Sequence, residues 1–130
     1  MRIGIDIGST TVKVVVLDDQ DKTIFHTYER HMSKVREKTA ETLRQLIPQL
    51  SGQQVRVAIT GSAGLGVAKA AGLEFVQEVF ATAGAVERFV PDTDAVVELG
   101  GEDAKIIFLT GGLEERMNGS CAGGTGAFID

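Results

Sequence analysis

Apolar residues alternate with small or polar residues at the start of the chain. RIGIDIGS (residues 2–9) carries isoleucine at every second position, the period of two that is typical of a β-strand. TTVKVVVLDD (10–19) continues with β-branched residues, and the polar cluster DDQDK then leads into TIFHTYER (23–30). These patterns predict three consecutive strands connected as a meander.

From Ser33 onward, the apolar spacing changes to that of an amphipathic helix. Apolar residues recur at helical intervals as far as Leu50, and Ser51-Gly52 ends the pattern. The next predicted elements are the strand VRVAIT (55–60), the Ala-rich helix GLGVAKAAG (64–72) and the helix EVFATAGAVERFV (78–90). This alternation of strands and helices is typical of an α/β domain with a mixed sheet.

After Pro91 and Asp92 end the third helix, the chain repeats its opening pattern. The predicted elements are the strands DAVVELGG (94–101), AKIIFLTGG (104–112) and LEERMNGS (113–120), followed by the start of a helix, CAGGTGAFID (121–130). We therefore place a boundary near residues 91–94. Residues 1–93 are predicted to form a first subdomain, and residues 94–130 the first strands of a second, similar one.

Composition and charge narrow the classes of function. With 130 residues, 43% of them hydrophobic, the chain can bury one ordinary core and part of another. Its net charge of −5 disfavours nucleic acid and anionic membranes as partners. No apolar run approaches the roughly 20 residues that span a bilayer, and the first residues enter the strand pattern without a signal peptide. We therefore expect a cytoplasmic protein with no nucleic-acid or membrane partner.

The first candidate for chemistry is DIGSTTVK (6–13), which connects two predicted strands. Its glycine lets a phosphate approach the backbone, and its amides and hydroxyls can donate hydrogen bonds. Asp6 can hold Mg²⁺ through water molecules, because Mg²⁺ keeps part of its hydration shell. An ordinary hairpin turn explains the stretch equally well. The candidate phosphate-binding residues are Gly8, Ser9, Thr10, Thr11 and Lys13.

A similar stretch, ELGGEDAK (98–105), follows about 90 residues later. Gly100 and Gly101 permit close backbone approach, and Lys105 adds positive charge. Glu98, Glu102 and Asp103 can bind a metal or a water molecule. Taken alone, a hairpin with a solvated acidic tip is the simpler interpretation. The recurrence favours phosphate binding, because two facing turns could clamp one nucleotide.

In their order and spacing, DIGSTTVK, ELGGEDAK and MNGSCAGGTGAFID resemble the ATP-dependent activators of 2-hydroxyacyl-CoA dehydratases, also described as the BadF/BadG/BcrA/BcrD ATPase family. The resemblance extends over the whole chain and implies the ribonuclease H-like fold of the actin and sugar kinase superfamily, in which two domains close on ATP. It also implies that the two stretches are phosphate loops and that Asp6 and Asp103 are catalytic. The second loop departs from the commoner family form, since Glu98 and Glu102 stand where that form has aspartate and glutamine.

The resemblance also concerns the single cysteine. MNGSCAGGTGAFID matches the motif that carries the first cluster cysteine of the family, which implies that Cys121 ligates a 4Fe-4S cluster shared between the protomers of a homodimer. Such a cluster needs four thiolates and two copies of this chain supply two, so a second cysteine is expected beyond Asp130, in a longer protein. On composition alone, a buried structural cysteine is the simpler interpretation.

Three functions stay open at this point. The resemblance implies an ATPase that receives an electron from a donor such as ferredoxin or flavodoxin and drives it into a 2-hydroxyacyl-CoA dehydratase. A small-molecule kinase of the same superfamily would need a substrate pocket with a positioned base, and no stretch resembles one. A non-catalytic scaffold would leave Asp6, Lys13 and Asp103 without a role.

The remaining titratable residues receive structural interpretations. His26 and His31 lack a second ligand at the spacing of a metal site, so strand or helix-cap roles are favoured over zinc. Glu78 begins a predicted helix, where the helix dipole favours a negative charge. None of these three residues is expected to take part in chemistry.

Overall fold

The structure of the protein is a computed structural model that describes residues 1–100 and 104–117. The chain divides into two compact units, Met1–Val76 and Gln77–Asp130. The helix predicted at residues 78–90 belongs to the second of these units, whereas the division at residue 93 would assign it to the first. That division into subdomains stays a prediction, and the helix predicted to start at Cys121 lies outside the described residues.

The first unit is built on a five-stranded mixed sheet. Its strands are β1 (Arg2–Ile7), β2 (Thr11–Leu17), β3 (Thr23–Arg30), β4 (Arg56–Thr60) and β5 (Glu74–Phe75). They lie in the order β3-β2-β1-β4-β5. β1, β2 and β3 pair antiparallel, as the predicted meander requires, and β4 and β5 continue the sheet in parallel with β1. The predicted mixed sheet is therefore confirmed.

The core of this unit follows from the period of two along the strands. The apolar residues at alternate positions of β1 and β2 are buried on one face, together with Leu46 and Ala68 from the helices. Asp6 lies between two of the buried isoleucines of β1 and therefore projects to the opposite face. The alternation that predicted the strand thus also separates its core residues from its candidate chemical residue.

Two helices complete the first unit, α1 (Val35–Leu50) and α2 (Gly64–Ala71). α1 begins two residues later than predicted, because Met32 and Ser33 adopt left-handed backbone conformations with φ of 49° and 64° that cannot belong to an α-helix. No helix within the described ranges is long and apolar enough to cross a membrane.

α2 approaches the sheet closely at its first residue. A Cβ on Gly64 would lie 2.9 Å from Cγ2 of Ile59 and 3.4 Å from Cε2 of Phe75. The glycine that weakens the helical propensity of this segment is therefore required for packing the helix against β4 and β5.

The second unit contains α3 (Glu78–Phe89) and three strands, β6 (Ala95–Leu99), β7 (Ala104–Phe108) and β8 (Glu114–Met117). The strands form an antiparallel sheet in the order β6-β7-β8, which confirms the predicted pairing and the third strand. Ile107 is buried on this sheet, and so is Lys105, an unusual position for a charged residue.

Candidate functional site

The first hairpin brings together a carboxylate and a lysine. Asp6 and Lys13 are directly opposite in the antiparallel register of β1 and β2. Lys13 Nζ donates a hydrogen bond to Asp6 Oδ2 at 2.8 Å, and the two side chains remain 37% and 33% exposed for Lys13 and Asp6 respectively. The antiparallel pairing of β1 and β2 therefore brings these two candidate residues together. Because the pair is half exposed, a ligand can reach both charges.

The turn between these strands holds two main-chain donors. The Gly8 N–H donates to the Thr11 carbonyl at 2.9 Å, which closes the turn. Among the described residues, the amides of Ser9 and Thr10 donate to no protein acceptor. Free N–H groups in a half-buried turn need a partner, and a phosphate oxygen is a suitable one. The turn therefore fits a phosphate group, whereas Thr11 itself is buried at the start of β2.

Gly61, which sequence reasoning missed, closes the same end of the sheet. Its φ is +96°, and a Cβ there would lie 2.3 Å from the Ile7 carbonyl oxygen and 2.5 Å from Asp6 Oδ1. Any side chain would collide with the end of β1 and with the carboxylate. The signal available in the sequence was a glycine directly after a strand, because parallel strands such as β1 and β4 end at the same edge of a sheet.

Thr60 adds a polar atom to this edge. It is opposite Asp6 in the parallel register of β1 and β4, and its Oγ1 is buried without a hydrogen-bond partner in the described part of the chain. A buried hydroxyl without a partner is costly in a folded protein and is commonly satisfied by water or ligand. Together with the Asp6 carboxylate, this atom fits a hydrated cation, since Mg²⁺ binds oxygen and needs one or two carboxylates.

Tyr28 extends the row of polar side chains to a third strand. It is opposite Lys13 in the register of β2 and β3, and Lys13 Nζ lies 5.3 Å from the centre of its ring. At that distance the ammonium is attracted to the electron-rich face of the ring. Lys13 is therefore held between a carboxylate on one side and an aromatic ring on the other.

His31 lies behind the turn, in the loop between β3 and α1, whereas His26 lies in β3 as expected. The His31 residue is 6% exposed, and its Nε2 lies 3.2 Å from the Gly8 carbonyl oxygen. Its main-chain N–H donates to the Thr10 carbonyl at 3.1 Å. The left-handed conformations of Met32 and Ser33 next to it each cost about 1 kcal/mol or more, so these contacts hold a strained loop in place.

The second hairpin also places a carboxylate opposite a lysine, but here the lysine is buried. Glu98 and Lys105 are opposite in the register of β6 and β7. The Lys105 side chain is only 6% exposed, and its Nζ lies 2.7 Å from Glu78 Oε2 and 4.0 Å from Glu98 Oε1. Lys105 thus joins the start of α3 to the hairpin, and two carboxylates offset its charge within the unit.

The other predicted residues of the second loop are only partly described. Gly100 follows β6 directly, whereas Gly101, Asp103 and Cys121 lie outside the described residues. No group of three or more metal-ligating side chains occurs in residues 1–100 and 104–117. The roles of the second loop and of the cysteine therefore stay predictions.

Hydrogen bonds shift the pKa values of two groups that connect β3 to α1, Glu29 and Lys38. Glu29 on β3 accepts a hydrogen bond from Lys38 on α1, which lowers the pKa of the Glu29 carboxyl, and Thr27 contributes a second hydrogen bond. The same pairing with Glu29, together with Glu41, raises the pKa of Lys38. These surface contacts attach α1 to the edge strand of the sheet.

Comparison with known proteins covers nearly the whole chain. Residues 3–130 match the model of the BadF/BadG/BcrA/BcrD ATPase family. Over 98% of its length, the chain is 28% identical to the (R)-2-hydroxyglutaryl-CoA dehydratase activating ATPase of Acidaminococcus fermentans and covers 50% of that protein. The chain thus spans about half the length of the curated relatives that it matches.

Solved structures show the same fold. Component A of the (R)-2-hydroxyglutaryl-CoA dehydratase of Acidaminococcus fermentans superposes with a TM-score of 0.79 at 23% identity, over 99% of this chain and 51% of that one. The activator of the 2-hydroxyisocaproyl-CoA dehydratase from Clostridium difficile, solved with bound ADPNP, gives a TM-score of 0.73 at 26% identity, over 99% of this chain and 49% of that one. The predicted actin-like, ribonuclease H-like fold is confirmed.

Proposed function

Because the chain belongs to the BadF/BadG/BcrA/BcrD ATPase family, we propose that it supplies the first phosphate-binding part of an ATP-hydrolysing activator of a 2-hydroxyacyl-CoA dehydratase. The observation that carries this proposal is the turn beside the Asp6–Lys13 pair, whose Ser9 and Thr10 amides have no acceptor within the described part of the chain. A relative named as an activating ATPase and a structural neighbour with bound ADPNP support it. A dehydratase is accordingly the proposed partner.

At the first hairpin, each residue has a distinct proposed task. The Ser9 and Thr10 amides donate to phosphate oxygens, with Gly8 and Thr11 shaping the turn around them. Lys13 moves its ammonium from Asp6 to the phosphate and offsets its charge. Asp6 would hold a hydrated Mg²⁺ through water molecules. The bound metal ion would supply electrostatic stabilisation of the charge that develops on the transferred phosphoryl group.

The second loop is also proposed to bind phosphate. Gly100 and Gly101 would allow close approach of the backbone, and Asp103 would orient the attacking water molecule. Lys105 is a weaker candidate for direct phosphate contact, because Glu78 and Glu98 already surround its Nζ. Its proposed contribution is to position the hairpin that carries the loop.

The redox part of the proposal depends on the cysteine motif alone. We propose that Cys121 supplies one thiolate to a 4Fe-4S cluster shared in a homodimer, with a reduced ferredoxin or flavodoxin as electron donor in the cytoplasm. Two copies of Cys121 would supply two of the four thiolates that such a cluster needs. Iron and sulfide content of anaerobically reconstituted protein, in wild type and in Cys121→Ser, would test this part separately.

The ATPase proposal is tested by measuring Mg-ATP binding and hydrolysis of the intact protein. We expect Asp6→Asn to lower turnover about 100-fold and ATP affinity much less, because a carboxylate that orients a metal acts mainly on the transition state. Asp19→Asn is the matched control, since Asp19 is an exposed aspartate at the opposite end of the hairpin. Unchanged turnover in Asp6→Asn, or no ATP binding by the wild-type protein, would refute the proposal.

A further inference from the structure

His31 contacts the phosphate-binding turn through both its ring and its main chain. The ring reaches the Gly8 carbonyl and the main-chain N–H reaches the Thr10 carbonyl, at 3.2 and 3.1 Å. The residue is 6% exposed, so the ring needs partners for both of its nitrogens. The second partner is the Ser33 N–H, which lies 3.2 Å from Nδ1. Both nitrogens are therefore engaged.

These partners fix the position of the ring proton. The Ser33 N–H is a donor, so Nδ1 acts as an acceptor and carries no proton. The Gly8 carbonyl is only an acceptor, so the proton lies on Nε2 and is donated to it. The His31 ring therefore accepts a hydrogen bond from the backbone of its own loop and donates one to the backbone of the turn.

Because the peptide group is planar, the contact of His31 with the Gly8 carbonyl also fixes the direction of the Ser9 N–H. The Gly8 carbonyl and the Ser9 N–H belong to one peptide group, and in a trans peptide they point in opposite directions. Holding the carbonyl toward His31 thus keeps the Ser9 N–H directed away from it. The same contact also keeps a carbonyl oxygen, which would repel an anion, turned away from the ligand side.

We propose that His31 is a positioning residue that presents the Ser9 amide to a phosphate oxygen of the nucleotide. The inference rests on the proposed function, because it assumes that the turn binds ATP. It does not require His31 to touch the ligand or to transfer a proton. His31 fixes the orientation of the Gly8–Ser9 peptide group before the nucleotide binds. Binding therefore does not include the entropic cost of ordering that group.

Two substitutions separate this role from a general role in the loop. His31→Gln retains a donor at the reach of Nε2, whereas the shorter side chain of His31→Asn places its amide near the position of Nδ1 and short of the Gly8 carbonyl. We expect the Asn variant to bind Mg-ATP about tenfold more weakly in calorimetry, and the Gln variant to stay within about threefold of wild type. His26→Gln is the control, because His26 is exposed on β3, and it should bind like the wild-type protein.

Equal ATP affinity of the Asn and Gln variants would overturn the proposal, because a residue that only supports the loop would not distinguish them. If the Asn variant does not fold, the amide resonance of Ser9 in the wild-type protein provides the test. That resonance should move downfield when ATP is added, and an unchanged resonance in the nucleotide complex would refute the inference. No ATP binding by the wild-type protein would instead refute the proposed function, and this inference with it.

Discussion

The two hairpins contain the same cross-strand pair in opposite environments. In the first, Lys13 and Asp6 are half exposed, and an aromatic ring is the other neighbour of the lysine. In the second, Lys105 is buried and a glutamate from α3 is its nearest partner. A carboxylate opposite a lysine therefore does not by itself identify a ligand site. Exposure, and the groups that already surround the ammonium, decide whether its charge is available.

The largest effect is expected from removing the buried ammonium of Lys105 in the second hairpin. Lys105→Met should lower the free energy of unfolding by about 3 kcal/mol, because it leaves Glu78 and Glu98 close together without their common cation. Urea denaturation would measure the loss. The double variant with Glu78→Gln should recover part of it, and a stability within about 0.5 kcal/mol of wild type for Lys105→Met would contradict the assignment of a structural role.

Replacing the more exposed lysine, Lys13, should affect ATP affinity more than stability. Lys13→Met should change the free energy of unfolding by less than about 1 kcal/mol, since a half-exposed ion pair contributes little. Its affinity for Mg-ATP should fall about tenfold, because a charge beside the phosphate is lost. Calorimetry and urea denaturation of the same preparation give both values. A large loss of stability with normal affinity would show that the two hairpins are alike.

The smallest effect is expected at the ion pair of Glu29 and Lys38, which connects β3 to α1 and is partly exposed. The hydrogen bond from Lys38 lowers the pKa of Glu29, so the stabilisation from this carboxylate is present above its ordinary pKa and is lost as the pH falls through the lowered value. Glu29→Gln should therefore melt slightly below wild type at neutral pH, and the difference should vanish in acid. A difference that persists at low pH would show that the contact stabilises by packing.

Local periodicity accounts for the parts of the fold that the sequence could predict. The period of two along residues 2–30 predicted the meander, and the hairpin geometry then placed Asp6 opposite Lys13. The start of α1 was predicted too early, because the left-handed conformation of Met32 and Ser33 has no signature in hydrophobic spacing. The sequence thus predicted which strands and helices form more accurately than it predicted the residues at which they begin and end.

Contacts between distant segments could not be predicted in the same way. Gly61 approaches Asp6 only because β4 pairs with β1, and His31 reaches Gly8 only because β3 returns alongside β2. The ion pair of Lys105 with Glu78 likewise depends on the placement of α3 against the hairpin. Each of these contacts is set by tertiary packing, which a single sequence does not specify at the level of individual atoms.

The close approach of Gly61 to the end of β1 has a consequence for the order of events in folding. A hairpin of β1 and β2 forms between neighbouring segments and therefore forms quickly. The parallel pairing of β1 with β4 is slower, because β3 and α1 separate the two strands along the chain. Until that pairing forms, the backbone of Gly61 does not lie beside Oδ1 of Asp6. The carboxylate would then acquire its final surroundings only when the sheet is complete. A nascent chain released before β4 would contain the first hairpin turn without the residues that surround Asp6 in the folded protein.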